Sequence, residues 1–75
     1  MTKELVIKIT GLADVYNFIA EATKVEGDIV IKRGKFVIDA KSIMGIFSID
    51  MSNPVTVIYP ADANEFDKYI QQFVA

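Results

Sequence analysis

Chemistry needs side chains that attack, donate or accept, and this sequence offers few. It has no histidine and no cysteine. That removes the commonest general base, the commonest metal ligands and the thiolate nucleophile. Three features remain. Ser42 heads the run Ile43-Met44-Gly45-Ile46-Phe47. A serine there is a natural helix N-cap, set beside the free backbone N–H groups of a first turn. Asp14 lies near the start of a helical pattern, where a carboxylate complements the helix dipole. It could take up a phosphoryl group only with Mg²⁺ held by further acids, and no acidic cluster accompanies it. Lys32, Arg33 and Lys35 surround Gly34 and read as a solvated edge that discourages strand pairing. No catalytic residue, metal site or cofactor is expected, and the chain does not read as an enzyme.

The elements that must position these residues follow from periodicity. Leu5, Ile7 and Ile9 alternate with Glu4, Val6 and Lys8 over Lys3–Ile9, the pattern of a half-buried strand. Leu12, Val15, Tyr16, Ile19, Ala22 and Val25 recur at three- and four-residue steps and predict a helix with that stripe inward, stopped near Gly27. Ile29–Ile31 and Phe36–Ile38 flank Lys32-Arg33-Gly34-Lys35 and predict a hairpin in which Gly34 takes positive φ. Ser42–Phe47 reads as a helix of one to two turns. Val55, Val57 and Tyr59 mark a fourth strand, ended by Pro60. Asp62 is the expected N-cap of a last helix, with Glu65 completing a capping box and Phe66, Tyr69, Ile70, Phe73 and Val74 as its apolar stripe. The order is β-α-β-β-α-β-α. Helices with apolar stripes need one surface to share, and a mostly antiparallel sheet covered on one face supplies it.

Composition bounds the rest. Seventy-five residues make a single domain, 1–75, and a chain of this size buries only about 60% of its unfolded surface. Apolar content of 52% with mixed charge argues against disorder. A net charge of -2 gives no electrostatic case for nucleic acid. Apolar runs stop short of the roughly 18 residues a membrane span needs, and the N-terminus lacks a signal-peptide core, so a cytoplasmic protein is expected.

The stretch Ala40-Lys41-Ser42-Ile43-Met44-Gly45-Ile46-Phe47-Ser48 resembles a segment of the HPr phosphocarriers of the bacterial sugar phosphotransferase system. The resemblance implies an α+β open-faced sandwich with a four-stranded antiparallel sheet of order 1-4-2-3 and three helices on one face. In that family the first helix opens on Gly-Leu-His-x-Arg-Pro, whose histidine carries the phosphoryl group. Here the matching loop reads Gly11-Leu12-Ala13-Asp14. Glycine and leucine are kept, while histidine, arginine and proline are absent. Loss of the imidazole implies a regulatory or protein-binding domain without phosphohistidine carrier activity. The alternative is a phosphocarrier-type component with a displaced acceptor.

Ser42 matches the serine that an ATP-dependent HPr kinase phosphorylates in some members of the family. Ile43, Met44 and Phe47, with Met51 extending the patch, match the face that docks partner proteins. Those partners would be a phosphotransferase-system enzyme, an HPr kinase or a transcriptional regulator. Four large apolar side chains in the five residues from Ile43 exceed what one short stripe can bury. Ile43, Ile46 and Phe47 can turn to the core, with Met44 pointing outward.

Overall fold

The computed structural model describes residues 1–75. Its elements are β1 (Thr2–Ile7), α1 (Leu12–Thr23), β2 (Val30–Arg33), β3 (Phe36–Asp39), α2 (Ile43–Phe47), β4 (Val55–Pro60) and α3 (Asn64–Ile70), which runs on into a 3-10 turn, Gln71–Phe73. The strands form one antiparallel sheet in the order β1-β4-β2-β3. Alternation sets its two faces. Val55, Val57 and Tyr59 of β4 are buried, while Thr56, Ile58 and Pro60 are only partly covered. Leu5 and Ile31 lie opposite Val57 on either side and share its inward face. The same core takes Val15, Phe18 and Ala22 from α1, Ile46 from α2, and Phe66 and Ile70 from α3. The helices therefore cover one face, and the other meets solvent.

The boundaries differ from expectation in instructive ways. β1 ends at Ile7, two residues early. Ile9 is still buried, and its N–H donates to the Met51 carbonyl at 2.8 Å. In α1 the inward line runs Val15, Phe18, Ala22. Phe18 was not in the expected stripe, and two residues that were, Leu12 and Tyr16, are exposed. The apolar arc of α1 is wider than the core it faces, so one flank is left in solvent.

Asp62 does not cap α3. Successive turns, with Ala63 N–H bonded to Pro60 O and Asn64 N–H to Asp62 O, move the cap to Ala63, which offers no side-chain acceptor. The expected stripe also stops before Val74, because the chain leaves the helix and bridges Ile7 to Val74. Lys8 N–H donates to Phe73 O, and Ala75 N–H to Val6 O. The outer edge of β1 is thereby paired at its C-terminal end. Gly34 takes φ +58° in the two-residue hairpin turn, as the sequence predicts.

Gly45 stands inside α2 for a steric reason. A Cβ at this position would lie 2.5 Å from Ile38 Cγ2 and 3.2 Å from Ser42 Oγ. The helix backbone is seated directly on β3, where no side chain fits. Alanine would gain about 1 kcal/mol in helix propensity but cost about 1–3 kcal/mol in overpacking. Gly45→Ala is therefore expected to lower the melting temperature. In an Ile38→Ala background the same change should raise it, which a double-mutant cycle by thermal denaturation would show.

Tyr59 anchors the far end of the core. Its ring packs edge-on against Phe66 at 5.6 Å, and its hydroxyl donates to the Asp67 carboxylate. Burial, reinforced by that bond and the Asp67 charge, pushes the phenol up to about 12 from 10.0. The proton is held more tightly in the folded chain. The resulting stability is complete below pH 10 and is lost as pH rises toward 12. Melting temperature should fall across that window, and the fall should be shallower in Tyr59→Phe.

Candidate functional site

Ser42 sits in extended backbone (φ -94°, ψ 109°), and its Oγ accepts from Gly45 N–H at 3.1 Å. It is the N-cap the sequence predicts. Its own N–H donates to Asp39 O at 3.0 Å, and its carbonyl accepts from Ile46 N–H at 2.9 Å. Asp39 Oδ1 accepts from Lys41 N–H at 2.9 Å, which fixes the turn from β3 into α2.

Sequence reasoning gave Lys41 no role. Its Nζ donates to Val25 O at 2.7 Å and to Gly27 O at 2.9 Å. The ammonium serves the carbonyls that follow α1, a helix with no basic residue in its last turn. One side chain thus ties the start of α2 to the end of α1. No spacing rule marks such a contact, because the partners are backbone atoms 14 and 16 residues away.

α2 presents its apolar residues unequally. Ile46 is 1% exposed and Met44 is 81% exposed, matching the expected inward and outward positions. Ile43 and Phe47 are about half exposed rather than turned to the core. Met51 corrects the expected patch. It is 4% exposed, belongs to the core cluster, and cannot extend an outer surface. The loop after α2 folds it inward: Asp50 accepts from Ser52 N–H at 2.9 Å, from the Ser52 hydroxyl and from Asn53 Nδ2 at 3.1 Å. The bonds from Ser52 hold the Asp50 carboxyl below the ordinary carboxylate range.

Phe47 meets the first helix. Its ring lies 5.5 Å from that of Tyr16, edge to face. Beside this pair is a shallow cleft of about 210 Å³ between the start of α1 and the end of α2, lined by Leu12, Val15, Ile46 and Phe47, with Asp50 on its rim. The structure therefore brings Leu12 of the degenerate loop together with Phe47. Leu12, Tyr16, Ile43, Met44 and Phe47 are all exposed large apolar residues. Tyr16 belongs to the stripe expected to face the core; it stands one turn after Leu12, on the flank of α1 that stays in solvent.

Gly11 caps α1 with extended backbone and no side-chain bond, and Asp14 is exposed in the first turn. No three acidic side chains gather in a form that would hold a metal ion, and no helix is long and apolar enough to cross a membrane.

Neither a family model nor a curated protein matches the sequence. Solved structures do. The phosphocarrier protein HPr from Bacillus anthracis str. Ames matches with a TM-score of 0.71 and 26% identity, over 100% of this chain and 96% of that one. HPr-C-His from Thermoanaerobacter tengcongensis matches with a TM-score of 0.75 and 26% identity, over 96% and 90%. The fold is that of the HPr phosphocarrier proteins.

The Ser42 cap supplies a direct test. Ser42→Ala removes the acceptor for Gly45 N–H and should cost about 0.5–2 kcal/mol in chemical denaturation. Ser42→Asp, which restores an acceptor, should recover most of that loss.

Proposed function

We propose that this chain is a regulatory or protein-binding domain built on the HPr fold, that it carries no phosphohistidine, and that it docks a partner through α2. The observation that carries the proposal is the exposed apolar face of Leu12, Tyr16, Ile43, Met44 and Phe47, contributed by two helices. Isolated apolar residues on a surface are ordinary; five from adjoining helix ends form a patch suited to a partner. Asp50 on the cleft rim, with its charge secured by Ser52, favours a partner with a cation beside its own apolar contact. The absence of histidine removes the nitrogen that phosphoryl carriage requires.

Ser42 is the proposed point of control. The known neighbours of this fold are phosphocarriers, and an HPr kinase is the enzyme that the resemblance points to. Phosphate on Ser42 would add nearly two negative charges at the edge of the docking face. Lys41 would not neutralise them, because its ammonium is engaged by Val25 O and Gly27 O. The modification would therefore change what the face attracts, favouring a partner with arginine beside an apolar groove.

Two incubations test this. With HPr kinase and ATP, phosphate should map to Ser42 by mass spectrometry, and Met44→Asp should weaken kinase binding by about tenfold or more, about 1.4 kcal/mol. Its melting temperature should stay near that of the parent, whereas Ile46→Asp should unfold the domain. With phosphoenolpyruvate and the general upstream enzyme of the sugar system, no acid-labile phosphate should appear. Stoichiometric labelling there would overturn the proposal in favour of a carrier with a displaced acceptor, and an acyl phosphate would place it on Asp14.

A further inference from the structure

Sulfur occurs in this chain only in its three methionines, because there is no cysteine to compete for oxidants. The three stand in very different surroundings. Met51 is sealed in the core. Met1 is exposed at the chain start, where its carbonyl accepts from Ala61 N–H, away from the docking face. Met44 projects from the outer side of α2, on the same short helix as Ile43 and Phe47. We infer that Met44 is a site of reversible oxidation, and that its sulfoxide switches off the docking face. The inference rests on the docking role proposed above and adds its regulation.

The chemistry is that of a thioether with a peroxide. A sulfur lone pair attacks one oxygen of hydrogen peroxide and the O–O bond breaks. The oxygen reaches sulfur as S–OH⁺, and the displaced hydroxide takes that proton and leaves as water, so the sulfur loses two electrons and the peroxide gains them. Accessibility governs where this happens. Met44 offers its side chain to solvent, and Met51 does not. The product is polar and accepts hydrogen bonds. In a closed apolar contact that oxygen would be desolvated without a donor, and binding would weaken. The fold should not respond, since the oxidised group touches water rather than core. Methionine sulfoxide reductases reverse the step, as a switch requires.

The test uses the whole chain, limiting hydrogen peroxide and purified HPr kinase as the binding probe. Peptide mass mapping should show Met44 sulfoxide forming at least about tenfold faster than Met51 sulfoxide, in keeping with its exposure. The melting temperature should hold while kinase affinity falls by about tenfold or more. Sulfoxide reductase should restore the affinity. In Met44→Leu, whatever its starting affinity, peroxide should leave binding where it was, which excludes Met1 as the cause. Comparable oxidation of Met51 and Met44, or full affinity with Met44 oxidised, would overturn the inference. Met44→Asp separates the two ideas. If it binds kinase as the parent does, the docking reading has failed and this inference with it. If it binds weakly but the sulfoxide binds well, only the oxidation switch is lost.

Discussion

β4 is paired along both edges, to β1 on one side and β2 on the other, and its three inward residues are all buried. Every other element depends on that strand. β1 and β2 do not pair with each other and are joined only through it, and the helices share the surface that it centres. Yet β4 begins only at Val55. Only the β2–β3 hairpin can assemble from neighbours in sequence; β1 must wait for a strand that arrives late, and the loop entropy of that wait is recovered only when β4 docks. The tight core around Val57, with Leu5 and Ile31 abreast of it, is what repays the cost.

Much of this was legible because alternation and helical spacing are strong signals. The seven elements, their order and the hairpin at Gly34 can be read from the residues alone, and the sheet order follows from the resemblance. What escaped had physical causes that sequence spacing does not encode. Asp62 looks like an N-cap, but the turn after Pro60 moves the helix start past it. Met51 resembles an extension of the α2 face, but the turn made by Asp50 and Ser52 folds it inward. Phe18, rather than Tyr16, completes the inward line of α1, because a wide apolar arc does not state which of its flanks meets the core. Gly45 weakens the case for a helix in sequence and turns out to permit its seat against Ile38.

The candidate site divides in the same way. Ser42 as a cap and Met44 as an outward residue were visible, since both depend on local helix geometry. The union of α1 and α2 into one face was not, because Tyr16 and Phe47 meet only in three dimensions. The same is true of Lys41, whose side chain holds the end of α1 to the beginning of α2. Two elements that contribute to one apolar surface are thus kept in register by a cation that lies outside that surface.

The two margins of the sheet are treated differently. Along β1, the residues after α3 fold back and occupy the outward backbone groups at the end of the strand, through the Ile7–Val74 bridge and the bonds from Lys8 to Phe73 and from Ala75 to Val6. Along β3 the margin stays open, with Phe36 and Val37 exposed, but Lys32, Arg33 and Lys35 crowd its turn. One margin is plugged at one end by the residues after α3, and the other is guarded only by charge. Guarding by charge is sensitive to salt, whereas a covalently tethered plug is not. Concentrated, high-salt solutions would therefore expose β3 first as a template for another extended strand, and self-association of this small domain would begin at the hairpin rather than at the termini.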